Sequence, residues 1–166
     1  ALATCAKAIW NEYFVSLLSQ EQIDYMVEQF LSAPVLTKAI CKDGYTYFLA
    51  YDNNEIIGFC GVQPQAKRLL LSKLYLKKQM RGKGLSSLLL QEAICFAKQK
   101  GCEEIYLTCN KYNTQSLDIY RHKGFSIIDQ AISDIGHGFV MDDYILSLPL
   151  LTEAFDNTKE SFLPAS

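Results

Sequence analysis

The sequence predicts an α/β fold on a mixed central sheet flanked by helices. Three observations carry this. Three apolar runs, the first rich in aromatics, follow one another between residues 45 and 76 with turn residues between them, the pattern of an antiparallel meander. A helix-length amphipathic segment separates the third run from a fourth, and a crossover of that length joins parallel strands. Two further strand-like runs close the domain as a C-terminal hairpin.

Taken in order, residues 3–18 carry Ile9, Trp10, Tyr13, Phe14, Leu17 and Leu18 at helical spacing. A second helix starts near Ser19, with Glu21 and Gln22 in its first turn, and runs to about Ser32, with Pro34 following. Tyr45–Tyr51 reads as a strand, Asp52-Asn53-Asn54 as a turn, and Glu55–Val62 as the returning strand. Lys67–Leu76 is the third. Beyond the loop 77–83, the residues Leu85, Leu88, Leu89, Ala93, Phe96 and Ala97 trace an amphipathic helix stopped by Gly101. Ile105–Cys109 is a strand, Asn110–Asn113 a loop, and Ser116–His122 a shorter helix capped by Gly124. Phe125–Ile132 and Tyr144–Leu148 are the last strands, joined by a long loop, SDIGHGFVMDD.

The 166 residues suit a single domain over 1–150, with a tail at 151–166. No apolar run approaches the roughly 18 residues of a membrane span, and the start, ALATCAKAIW, lacks the pattern of a signal peptide. The start also lacks an initiator Met, so the chain is either processed or begins inside a longer product. The six cysteines form no C-x-x-C and no zinc spacing, which predicts buried, reduced thiols in a cytoplasmic protein and no metal site. A net charge of −2 argues against a nucleic-acid partner. From Ile56 to Gln91, however, there is no Asp or Glu, while Lys67, Arg68, Lys73, Lys77, Lys78, Arg81 and Lys83 fall inside this interval. Such a basic segment in a mildly acidic chain predicts a local anion site.

The segment LKKQMRGKGLSS, residues 76–87, admits three readings. It is a solvated strand-to-helix turn, or a dinucleotide fingerprint, or an anion cradle. The fingerprint fits badly: a polar stretch, Lys77–Arg81, separates the strand from Gly82, and Glu104 precedes the next strand instead of ending it. The P-loop pattern G-x-x-x-x-G-K-[ST] does not occur. The cradle reading has a physical basis. A helix N-terminus offers free N–H groups and a favourable dipole, Gly82 and Gly84 let a phosphate approach the backbone, and Arg81 and Lys83 add charge.

A second constellation runs from Asn113 through Tyr120 to Gly124-Phe125. Seven positions apart on a helix, Asn113 and Tyr120 share a face. The ordered set, Gln79-x-x-Gly82-x-Gly84 after an apolar strand, then Asn113, Tyr120 and Gly124-Phe125, resembles the GNAT N-acetyltransferase superfamily over about 45–148. The ending Asp134–Tyr144 is similar to that of bacterial members, some of which acetylate polyamines. The family opens with a strand before its first helix, whereas this sequence starts in the helix, so that strand is expected to be missing, very short or supplied differently.

The resemblance implies transfer of the acetyl group of acetyl-CoA to a primary amine of a small molecule or peptide; a catalytically silent CoA-binding sensor is the alternative. It implies that Leu74, Tyr75 and Leu76 receive the pantetheine arm, with the Leu76 N–H as oxyanion donor. Gln79, Arg81, Gly82, Lys83, Gly84, Leu85, Ser86 and Ser87 would hold the pyrophosphate, and Asn113 would touch the coenzyme. Tyr120 would be the general acid that protonates the departing thiolate. Asp142 and Asp143 would attract a cationic amine. The general base is left open among Glu55, His122, Tyr106 and a water relay, no membrane partner is implied, and a homodimer is an open alternative.

Overall fold

The computed structural model describes residues 1–150; the segment read as a tail, 151–166, lies outside the described residues. Five helices and six strands follow the order α1 (Leu2–Tyr13), α2 (Gln20–Leu31), α3 (Ala33–Cys41), β1 (Thr46–Asp52), β2 (Glu55–Gln65), β3 (Arg68–Leu76), α4 (Leu85–Gln99), β4 (Glu104–Asn110), α5 (Thr114–His122), β5 (Ser126–Gly136) and β6 (Phe139–Pro149), with one 3-10 turn at Lys78–Met80. The sheet order is β1-β2-β3-β4-β6-β5, and only the β3–β4 pair is parallel. Among the described residues no strand precedes α1.

The core is two layers, one on each face of the sheet. Leu89, Leu90, Ala93 and Ala97 of α4 and Leu117 of α5 pack with Leu69, Leu71, Leu76, Leu107 and Leu146 on one face. Ile9 and Trp10 of α1 and Ile23, Met26 and Leu31 of α2 pack with Phe59 on the other. The central strand β2 therefore reads as a continuous buried run, Ile56–Val62, without a solvated face.

Three elements differ from the sequence prediction. The first helix ends at Tyr13, because Ser19 starts a new helix by accepting from the Gln22 N–H at 3.2 Å, and residues 14–18 make turns between them. Pro34 does not follow the helices but opens one: it occupies the first turn of α3, where its missing N–H is not needed. The long loop SDIGHGFVMDD is instead the middle of a hairpin. Asp134 pairs with Val140 and Gly136 with Phe139, and His137 and Gly138 both adopt positive φ, 52° and 77°, the geometry of a two-residue turn. Of the cysteines, Cys41 and Cys95 are exposed, so the prediction of buried thiols holds for only four of the six.

Candidate active site

The parallel ladder between β3 and β4 is short. It pairs Arg68–Leu70 with Glu104–Tyr106 and then stops, although both strands continue. Beyond Leu70 the strands part. A cavity of about 850 Å³ opens there, lined by Leu74, Tyr75 and Leu76 on one side and Thr108, Cys109 and Asn110 on the other. The Lys77 N–H donates to the Ile57 carbonyl at 2.9 Å. In an antiparallel ladder the alternate residues then turn their backbone groups away from the partner strand. Leu76 and Leu74, paired in register with Gly58 and Cys60, are those residues, so their N–H and C=O groups face the gap. Consistent with this, Arg81 Nε donates to the Leu76 carbonyl at 3.3 Å.

The loop beyond β3 forms one wall. Gly82 and Gly84 have φ of 75° and 78°, and nothing within 4 Å would touch a Cβ on either. Gly84 is the N-cap of α4 and supplies no side-chain cap, so the first N–H groups of that helix stay free. Arg81 lies over the Tyr13 ring, 4.6 Å from its centre, and its Nη2 is buried without a hydrogen-bond partner among the described residues. A buried guanidinium nitrogen so placed is chemically suited to an anion. Lys123, at the end of α5, reaches the same wall: its Nζ donates to Ser87 Oγ at 2.5 Å, and burial lowers its pKa.

Helix α5 closes the other side. Asn113 is its N-cap. Its Oδ1 accepts from the Ser116 N–H at 3.2 Å and from the Tyr13 hydroxyl at 3.3 Å, so the Nδ2 group is what remains for a ligand. The Tyr13 hydroxyl also bonds Ser116 Oγ, which ties α1 to α5. Tyr120 lines the cavity and stacks edge-on against Phe125, with ring centres 5.5 Å apart. Burial, reinforced by Tyr75, Cys109, Cys60 and Tyr13, pushes its phenol well above the ordinary value, so the proton stays on oxygen at neutral pH. The water values of phenol and thiol therefore do not describe this site; a thiolate formed beside Tyr120 would be disfavoured by the same burial.

The predicted acid pair is divided by strand alternation. Asp142 forms an ion pair with Lys111 outside the cavity, whereas Asp143 points into it. One carboxylate oxygen of Asp143, Oδ1, is buried without a partner among the described residues. Burial, then the Asp142 charge, raises its pKa to about 6. Burial, then the Asp143 charge, holds the Cys109 thiol up at about 12, which disfavours a thiolate there.

The cavity thus brings together Leu74, Tyr75, Leu76, Arg81, Gly82, Ser86, Asn113, Tyr120 and Asp143. Gly84, Leu85 and Ser87 stand at the adjoining helix start, while Gln79 and Lys83 are exposed on the loop. The basic segment is not one patch: Lys67 pairs with Glu103 and Lys77 with Glu55. Tyr13, Ser116 and Lys123 are not among the residues the sequence singles out for the site, and Lys73 enters there only as one of the basic segment. Tyr13 and Lys73 sit in runs that read as a helix face and a strand, and only tertiary packing brings them here.

The model of the Acetyltransferase (GNAT) family matches residues 6–125. The spermidine N(1)-acetyltransferase of Thermoplasma acidophilum is 26% identical over 145 residues, covering 85% of this chain and 88% of that protein. The uncharacterised N-acetyltransferase YjgM of Escherichia coli (strain K12) is 28% identical over 106 residues, covering 61% of this chain and 64%, just under two thirds, of that protein. Among solved structures, the PaiA N-acetyltransferase from Thermoplasma acidophilum in complex with coenzyme A superposes with a TM-score of 0.76 at 24% identity, over 89% of this chain and 90% of that one.

Proposed function

Because the chain belongs to the GNAT acetyltransferase family, we propose that it moves the acetyl group of acetyl-CoA onto a primary amine of a small molecule. The observation that carries this is the parting of β3 and β4. It leaves the backbone groups of Leu74 and Leu76 facing a cavity that ends at an uncapped helix start beside a buried, unpartnered arginine nitrogen. That set fits a pantetheine arm continued by a pyrophosphate: extended backbone donors and acceptors for the amides, then N–H groups and a cation for the phosphates.

Each residue then has a task. The Leu76 N–H holds the thioester oxygen as charge develops on it. Arg81, the open Gly82–Gly84 backbone and the first turn of α4 hold the phosphates, and Asn113 Nδ2 holds the arm. Asp143 holds the incoming ammonium and takes one proton from it. The amine nitrogen then bonds to the acetyl carbon and the carbon–sulfur bond breaks. Tyr120 gives its proton to the sulfur, and the second proton from nitrogen restores the phenol. The likeness to a spermidine acetyltransferase makes polyamines the first acceptors to try.

The test is release of free thiol from acetyl-CoA across polyamines, amino acids, aminoglycosides and N-terminal peptides. Acceptor-dependent release supports the reading. Tight acetyl-CoA binding with no release for any amine overturns it in favour of a CoA sensor.

A further inference from the structure

The acceptor side of the cavity contains a built site that the transfer reaction does not use. On β3, Leu69 and Leu71 face the α4 layer, and so do Leu74 and Leu76. The alternation changes parity because Gly61 pairs with Lys73 and Val62 with Leu71, leaving Ser72 as an extra residue, a β-bulge. The bulge turns Lys73 and Tyr75 onto the opposite face, into the cavity. Tyr47, Gly61 and Lys73 form one row across β1, β2 and β3. A Cβ on Gly61 would lie 2.8 Å from the Tyr47 ring, so the absence of a side chain there lets the ring lie across β2 toward Lys73. Lys73 Nζ is 5.9 Å from the centre of the Tyr47 ring and 5.6 Å from that of Tyr45.

Two polar groups in this row lack a counterpart. The Tyr47 hydroxyl is buried with no hydrogen-bond partner among the described residues. Lys73 makes one contact, to Ser72 Oγ at 3.1 Å, and is in none of the ion pairs of the described residues; the nearby cavity acid, Asp43, pairs with Lys38. Burial draws the Lys73 ammonium down to about 8, the mark of a cation enclosed without an anion.

Resting on the acetyl-transfer reading, we infer that the acceptor carries a carboxylate as well as its amine, and that Lys73 and the Tyr47 hydroxyl hold that carboxylate while the amine meets Asp143. An ammonium and a phenolic O–H in one row across the sheet offer donors to the two oxygens of one carboxylate. The spacing sets the class. Lys73 on β3 and Asp143 on β6 stand two strand spacings apart across β4, roughly 10 Å between backbones. That separation exceeds the reach of an α-amino group from its own carboxylate. It suits an ω-amino acid or the side-chain amine of a basic amino acid.

The experiment compares 6-aminohexanoate and lysine with 6-aminohexanamide and spermidine as acceptors of the full chain, reading kcat/KM by thiol release. The carboxylate-to-amide ratio for the matched six-carbon pair is expected to be on the order of tenfold or more in favour of the acid. K73Q should bring the ratio near one. Tyr47→Phe removes a single oxygen and keeps the test available if K73Q fails to fold; it should reduce the ratio several-fold. A wild-type ratio near one, or a ratio unchanged in both variants, overturns the inference alone. No thiol release with any acceptor overturns the acetyl-transfer reading, and this inference with it.

Discussion

At the scale of single residues, the site separates two acids and bases that are easily confused. Tyr120 keeps its proton at neutral pH because burial disfavours the phenolate. Its substitution by Phe removes only that oxygen, so turnover should fall about 10²-fold while acetyl-CoA affinity, measured by titration calorimetry, changes little. Asp143 is the reverse case. Only its ionised form can hold an ammonium, and its pKa is raised to about 6. Activity should therefore fall as pH drops through about 6, and D143N should abolish that acid limb along with most of the rate. Stability moves the other way. A carboxylate whose pKa is raised on folding binds its proton more tightly in the folded chain, so stability falls as pH rises from about 4 to 6. D143N should accordingly melt higher than wild type at pH 8, by differential scanning calorimetry; an unchanged or lower melting temperature would show that Asp143 has a partner in solution.

At the scale of elements, the loop and α4 act as one unit. Gly84 is the N-cap of α4 and holds φ at 78° with open space around it. Gly84→Asp adds a strain of about 1–2 kcal/mol, small enough for the fold to survive, and places a negative charge where phosphates are to sit. Acetyl-CoA affinity should fall at least tenfold with the circular dichroism spectrum retained; unaltered affinity would mean that the loop is only a solvated turn. Much of this was legible in the sequence. The spacing of Gly82, Gly84, Asn113 and Tyr120 reflects backbone geometry, which short-range pattern records well. What escaped were choices made by tertiary context. Pro34 reads as a stop or as a first-turn residue with equal local justice, and packing decided for the latter. The C-terminal hairpin was expected, but its reach through residues 133–143 to a two-residue turn was hidden by polar residues, since an edge strand such as β5 exposes Ile128 and Ile132 as readily as charges. The bulge at Ser72 that aims Lys73 has no local signature at all.

At the scale of the whole molecule, the two halves of the site come from different stretches of chain. On the proposed reading, the coenzyme half is built from residues 74–123, which lie on neighbouring elements. The acceptor half adds Tyr47 and Lys73 to the place where the first two helices meet the last hairpin. Tyr25 bonds the Ile135 carbonyl at 2.8 Å, Gln22 reaches the Val140 carbonyl at 3.3 Å, and Tyr13 reaches Asn113, spans of 110, 118 and 100 residues. Contacts that distant form late, because the chain between them must first be ordered. The consequence is a timetable. Strands β2 and β3 with α4, which share one apolar cluster, are expected to condense first, and the amine chamber to be finished last, when both ends of the domain arrive. Pulse-labelled hydrogen exchange during refolding should find β2, β3 and α4 amides protected before those of α1 and α2; simultaneous protection would deny the order. A chain interrupted on this timetable already has its grip on the coenzyme and nothing yet to acetylate.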